Sequence, residues 1–315
     1  MAFSLNDKHI LLNYHYVENS NDKNLGTHPC SVKEFEKHIV FLSENYKPAS
    51  ISDVFSAAQK NSSEKYYSIT FDDGLKSQYK NAAPILEKHG ARGTFFPIMQ
   101  TLDGKLPITH KVHILLSKIS TEECINRLER FLSQLQGINS FNIPRDTRLS
   151  QTRRLYEDIP TANLKERFIE LPAETLSSFI DSVFENLRIN ETKKCSELFM
   201  NKDEIKDIDD RKKFEIGNHT YSHITTNRLN EKELENDIQR SQECLNSILG
   251  RRPSVFSYPH GVQGNFIRAC EILQKQGITH AVTVDRKAVK ENTPFSIPRY
   301  DRVDVADFLE TNVTA

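Results

Sequence analysis

The stretch SITFDDGLKSQ, residues 68–78, ends a β-rich apolar run with two adjacent aspartates, Asp72 and Asp73. Like charges side by side repel, and burying either without a partner is costly. A nearby cation or a solvated tip would resolve this, and Asp-Asp-Gly also suits a plain turn. A second stretch, EIGNHTYSHIT at 215–225, sets His219 and His223 four apart. That spacing predicts two imidazoles on one side of a helical turn, able to present two nitrogens to one metal ion. Two histidines and one carboxylate leave open positions on a divalent ion, the arrangement of a catalytic rather than a structural centre. One aspartate would then be a ligand and its neighbour a general base toward water.

These residues need elements that bring them together. Residues 9–17, HILLNYHYV, predict a first strand. Residues 31–46 carry Val32, Phe35, Ile39 and Leu42 at helical spacing behind a Ser31–Glu34 capping box. Tyr66–Phe71 predicts a second strand, 77–89 a helix stopped by Gly90, and GTFFPIM at 93–99 a third strand. From about Asp103 to Asn201 the chain turns charged and helical in period. Val112, Leu115, Leu116 and Ile119 form one stripe there, and Leu176, Phe179, Ile180, Val183 and Leu187 another, with Pro144 and Pro160 between. This predicts a helical insertion, either a lid or interaction surface or a packed elaboration. Alternation returns with KKFEIGNHT as a strand, a helix from Asn230 to Leu249 capped by Glu233 and Gly250, SVFSYPHG as strand and turn, NFIRACEILQKQG as helix and THAVTV as strand. Strands alternating with helices predict an α/β fold with parallel strands, whose C-terminal ends share one face, so the two motifs can meet.

The 315 residues, with 37% hydrophobic and 27% charged side chains, suit one large domain with a sizeable core. A formal net charge of −1 gives no global basic bias of the kind that advertises nucleic acid. No apolar run approaches the about 20 residues of a membrane span, and the start of the chain does not read as a secretory leader. Five scattered cysteines without a CxxC pair predict reduced thiols and a cytoplasmic location.

TFDDG at 70–74 and HTYSH at 219–223, within similarity over roughly 9–102 and 203–300, resemble the first two motifs of the polysaccharide deacetylases of carbohydrate esterase family 4. The resemblance implies a single catalytic domain over 1–315. Its fold would be a distorted (β/α)7-type barrel, interrupted by the helical insertion at about 103–200. It implies Asp72 as catalytic base, and Asp73, His219 and His223 as holders of one divalent metal, zinc first, with cobalt, nickel and iron also suited to such ligands. The family's third motif usually begins with arginine. Here the stretch is SYPHG, 257–261, which resembles the branch acting on poly-N-acetylglucosamine-type substrates. Tyr258, Pro259 and His260 would then line the substrate, with the His260 N–H helping to polarise the acyl oxygen; an ordinary β-turn also accounts for Pro and Gly. The C-terminal histidine motif that usually supplies the general acid is missing. That branch instead carries a Tyr-His near its N-terminus, as if permuted, and NYHYV at 13–17 matches it. His15 is therefore assigned as general acid, the alternative being a structural histidine. Arg299, in SIPRY, resembles a late position that contacts substrate or orients the base.

The expected function is removal of an N-acetyl group from an amino sugar, nucleotide-linked, lipid-linked or in an oligosaccharide, during surface-polysaccharide biosynthesis. Alternatives are a deformylase or other acyl-amide hydrolase, and a non-catalytic sugar-binding barrel. The expected partner is the acetylated sugar, with no nucleic acid and no membrane span.

Overall fold

Every residue of the first strand, β1 (His9–Tyr14), is buried, because both faces of a parallel strand are covered. The computed structural model describes residues 3–19, 27–135, 142–151, 154, 157–290 and 293–312. After β1 come α1 (Val32–Asn45), β2 (Lys47–Pro48), α2 (Ile51–Gln59), β3 (Tyr66–Asp73), α3 (Ala83–Lys88) and β4 (Gly93–Pro97). Then follow α4 (Ile108–Leu116), α5 (Thr121–Ser133), α6 (Ile159–Glu170), α7 (Ala173–Asn186), α8 (Glu191–Leu198) and α9 (Lys202–Asp210). The chain closes with β5 (Phe214–Ile216), α10 (Glu231–Leu249), β6 (Val255–Ser257), α11 (Phe266–Lys275), β7 (His280–Val282), β8 (Tyr300–Asp301) and α12 (Arg302–Asn312).

The strands run parallel in the order β5-β4-β3-β1-β8, with β2 against the start of β3 and a separate parallel pair β6-β7. Single parallel bridges join the two sheets, Asn218 to Phe256 on one side and Val282 to Ile297 on the other. The circuit β1-β3-β4-β5-β6-β7-β8 is thus a closed but irregular barrel of seven strands among the described residues. Alternation sorts its side chains. Leu11, Phe96, Val255, Val282 and Ile297 fill the interior, and Ile51, Val54 and Ala58 of α2 pack onto them. Ile10, Leu12, Tyr14, Ile69, Phe71 and Phe95 face outward against Phe35, Ile39 and Leu42 of α1 and Ile205 and Ile208 of α9.

The capping boxes expected at Ser31–Glu34 and Asn230–Glu233 are both formed, and Gly250 ends α10 at φ 74°. The helix expected over 77–89 begins instead as a π-helical turn, Gln78–Ala82, before α3. β2, α2, β8 and α12 carry no signal that the sequence reading used.

The chain divides into two compact units. The barrel unit includes residues 29–107 and 192–315. The other spans Ile108–Glu191 with a short segment ending at His28, and holds α4 to α7. There most of the expected stripes are core: Val112, Leu115 and Leu116 on α4 with Ile119 just beyond it, and Leu176, Phe179, Ile180 and Val183 on α7, while Leu187 at the end of α7 is half-buried. Its buried Glu157 pairs with Lys165 and lies near Arg154 and His28. Among the described residues no helix is long and apolar enough to cross a membrane.

Candidate active site

β3 delivers TFDD to the rim of the barrel. Its register with β1 sets Asn13 against Thr70 and Tyr14 against Phe71. Asn13, Thr70 and Asp72 share the interior side, while strict alternation would send Asp73 outward. Instead Asp73 and Gly74 take left-handed φ values of 78° and 73°. The chain turns there, and both carboxylates serve one pocket. A β-carbon on Gly74 would meet Pro97 Cα at 2.6 Å, so the turn needs glycine for space as well as for its φ.

The cation that compensates Asp72 is Arg299, the largest fully buried side chain. Its Nη1 and Nη2 donate to Asp72 Oδ1 and Oδ2 at 2.9 and 2.8 Å, a bidentate pair. The remaining guanidinium donors go to Asn13 Oδ1 (3.0 Å), Thr70 Oγ1 (3.0 Å), Ser257 Oγ (3.1 Å) and, from Nε, the Thr283 carbonyl (2.8 Å). Asn13 Nδ2 also donates to Asp72 Oδ2 at 3.2 Å. Burial alone would raise the Asp72 carboxyl. Arg299, His219 and His15 override it and hold the group well below the usual carboxylate range. Asp72 is therefore a fixed, ionised acceptor.

Beside it, Asp73, His219 and His223, all buried, bring one donor atom each within 4.8 Å of one another. Asp73 Oδ1 lies 3.5 Å from His219 Nε2 and 3.4 Å from His223 Nε2. A tetrahedral ion with ligand bonds of about 2.0–2.2 Å would need donor separations of roughly 3.3–3.6 Å; the two carboxylate–imidazole separations match this, and the donor set fits a divalent metal. The tautomer fits too. His219 Nδ1 donates to the Ser257 carbonyl at 2.8 Å, which leaves the Nε2 lone pair facing Asp73. Burial lowers the His219 imidazole, but Asp72 and Asp73 outweigh it and the net shift is upward. The pocket thus favours positive charge at this point. The expected helical turn is corrected: residues 219–223 are an irregular loop, with Thr220 at φ 66° and His223 at φ 59°. The loop conformation, not a helix face, brings the two rings to 4.8 Å between centroids.

β1 stops at Tyr14 rather than at the expected Val17. His15 is the first residue beyond it, one step past the Tyr14–Phe71 pair and so level with Asp72. Gln78 Nε2 donates to the carbonyls of both His15 (3.1 Å) and Asp72 (2.6 Å), clipping the two strand tips together. Pro259 and His260 follow β6 on the same rim. His260 is exposed, sits at φ 56°, and its ring centroid lies 4.6 Å from that of His223. Two of the expected site residues lie deeper than the rim. The Tyr258 ring is buried against Phe256, and its hydroxyl donates to the Phe295 carbonyl at 3.1 Å. The Arg299 side chain is fully buried against the Asp72 carboxylate. A cavity of about 300 Å³ lined by Ser50, Ser68, Arg92, Thr94, Lys213 and Glu215 opens at the N-terminal ends of β3 to β5, the opposite end of the barrel from this site. Asn13, Gln78 and Ser257 were missed by the sequence reading; they sit inside the quoted stretches NYHYV, SITFDDGLKSQ and SYPHG, the only signal they offered.

The polysaccharide deacetylase family model matches residues 59–130 and 183–281, which include both motifs but neither His15 nor Arg299. YxkH of Bacillus subtilis (strain 168) is 32% identical over 104 residues, 32% of this chain and 36% of that protein. The match thus spans little more than a third of that relative. Among solved structures, IcaB from Ammonifex degensii aligns with TM-score 0.59 at 17% identity, covering 96% of this chain and 97% of the other. The Streptococcus pyogenes deacetylase PplD, in complex with acetate, aligns with TM-score 0.55 at 14% identity, covering 96% of each. At these identities the likeness establishes the fold.

Proposed function

We propose, from the premise that this chain belongs to the polysaccharide deacetylase family, that it is a metal-dependent hydrolase removing an N-acetyl group from an amino sugar. The observation that carries the reading is the convergence of Asp73, His219 and His223 beside an Asp72 carboxylate that Arg299 keeps ionised. Asp73 Oδ1 and the two Nε2 atoms would hold one divalent ion, zinc first by its preference for nitrogen and oxygen donors. Such an ion supplies Lewis-acid polarisation and lowers the pKa of water.

The chain's own residues do the rest. Asp72 accepts the proton of the attacking water, and Arg299, with Asn13, fixes its orientation and charge. The His260 N–H donates to the oxygen that becomes negative as the carbonyl is attacked. An amine leaves poorly unless protonated, and His15, on the neighbouring strand tip, delivers that proton. Pro259 and His260 border the substrate. The sugar is nucleotide-linked, lipid-linked or part of an oligosaccharide, and the reaction serves surface-polysaccharide synthesis. None of the five cysteines is in a disulfide, in keeping with a reducing, cytoplasmic compartment.

Mass-spectrometric screening of N-acetylated nucleotide sugars and short N-acetylated oligosaccharides with zinc-loaded protein tests this. Loss of acetyl is expected, abolished together with zinc content in His219→Ala and His223→Ala. In His15→Ala, zinc content should stay and amide hydrolysis fall by ~10²–10⁴, while an acetate ester with a good leaving group is spared. Equal loss on both substrates would remove His15 as proton donor. Formate release from N-formyl sugars alone would favour the deformylase, and no zinc and no product the sugar-binding barrel.

A further inference from the structure

The loop that carries His219 and His223 has no strand or helix of its own to hold it. Four successive N–H groups in it are answered by side-chain oxygens. Thr220 N–H donates to Asn218 Oδ1 (2.7 Å), Tyr221 N–H to Asp237 Oδ2 (3.2 Å), Ser222 N–H to Asp237 Oδ1 (3.2 Å) and His223 N–H to Thr220 Oγ1 (2.9 Å). Asn218, bridged to Phe256, anchors only the start of the loop, and Thr220 is local, so it can travel with the loop. Asp237 is not: it belongs to α10, a 19-residue helix packed on the barrel through Leu245 and Leu249. On the other side, the Met99 and Gln100 N–H groups donate to the carbonyls of Thr220 (3.4 Å) and Tyr221 (2.9 Å). One turn along α10 from Asp237, the Arg240 guanidinium lies 3.5 Å from the centroid of the Tyr221 ring. The Tyr221 hydroxyl donates to Asp103 Oδ2 at 2.5 Å.

Asp237 therefore does what a bound anion does in a nest of backbone N–H groups: Oδ2 accepts from Tyr221 N–H, and Ser222 N–H is shared between Oδ1 (3.2 Å) and Oδ2 (3.4 Å). It holds the peptide between the two histidines in a conformation that includes left-handed Thr220 and His223, which those residues adopt only when their surroundings impose it.

We propose that Asp237 is a positioning residue, which fixes the spacing of His219 and His223 as a ligand pair before any ion arrives. The inference rests on the metal-site reading above but makes its own claim about the metal-free loop. Asp237 touches neither metal nor substrate and acts through the Tyr221 and Ser222 amides.

The test uses the full chain, with Asp237→Ala and Asp237→Asn beside wild type and His223→Ala. Amide hydrogen exchange of residues 219–223 is followed in metal-free protein, and zinc affinity is measured by competition with a chromophoric chelator. Asp237→Ala should lose protection at Tyr221 and Ser222 while β3 and β4 stay protected, and should bind zinc 10–100-fold more weakly, as losses of outer-shell partners do. Asp237→Asn keeps one carbonyl acceptor but turns an NH₂ toward the second donor, so it should fall between. It carries the test if the alanine variant does not fold. A folded variant with wild-type protection at Tyr221 and Ser222, or with zinc affinity within threefold of wild type, overturns the proposal. A lower melting temperature with both readouts unchanged would mean a purely structural carboxylate and overturns it equally. Zinc bound by wild type and by Asp237→Ala alike, but not by His223→Ala, defeats the positioning role and leaves the metal site standing. Absence of zinc binding in wild type defeats the metal site, and the exchange data still decide the role of Asp237.

Discussion

Asp72 and Asp73 are neighbours in sequence with opposite means of neutralisation. Asp73 faces two imidazoles, and Asp72 a guanidinium 227 residues away. Arg299→Met should therefore destabilise the protein by about 3–5 kcal/mol at neutral pH, because it strands a buried carboxylate. In wild type the depressed Asp72 contributes stability that is fully present above its unfolded value of 3.8 and lost as pH falls below it. The variant inverts the sign: burial alone raises the carboxyl, so stability should recover on acidification, and the acid limb of kcat/KM should move to higher pH. Urea midpoints at pH 7 and pH 5 with a pH–rate profile check this; parallel profiles for both proteins would show that Arg299 does not control Asp72. At this scale the sequence was legible where chemistry is written as contiguous letters. TFDDG and HTYSH named four residues that the fold brings together. Arg299 was legible as a position but not as a partner, since no local pattern says which carboxylate a distant arginine meets. Asp237 was not legible at all, a polar residue in a polar stretch of an amphipathic helix.

Individual strands and helices were read from period and caps, and α1 and α10 begin within a residue of where their capping boxes place them. The turns were not legible, because their backbone signs follow from tertiary crowding. Asp73, Thr220, His223 and His260 have positive φ without being glycine, and each sits on the rim beside the donor atoms. Left-handed backbone at a non-glycine residue costs of order 1–3 kcal/mol, so stability elsewhere in the fold supports this geometry. Gly74 is where relief is indispensable. A β-carbon there would press 2.6 Å from Pro97 Cα and Cβ at φ 73°. Gly74→Ala should lower stability by about 2–4 kcal/mol from the left-handed backbone and the overpacking together. It should also displace Asp73, so zinc content falls along with the melting temperature. A variant that melts like wild type with full zinc would mean that β4 yields easily.

On the scale of the whole chain, the helical unit of Ile108–Glu191 interrupts the barrel sequence between β4 and β5. Around it the two ends of the barrel unit come close: a β-carbon on Gly104 would lie 3.0 Å from the Thr192 side chain. Replacing residues 108–191 by a Gly-Ser linker of about six residues, which reaches about 13 Å, should leave a folded barrel unit that still binds zinc. A molten or insoluble product would show that the two units fold only together. The barrel itself is closed by its extremes, β1 beside β8, and that places the site in time. Asp72 is synthesised 227 residues ahead of Arg299. At about 5–20 residues per second the carboxylate waits about 10–45 s for its guanidinium. Until the last strand leaves the ribosome, the barrel interior around Asp72 holds a charge it cannot seal. Asp72, the proposed base, is made well before the group that compensates it, so a chain cut short before Arg299 would carry both motifs intact without the guanidinium that holds the carboxylate.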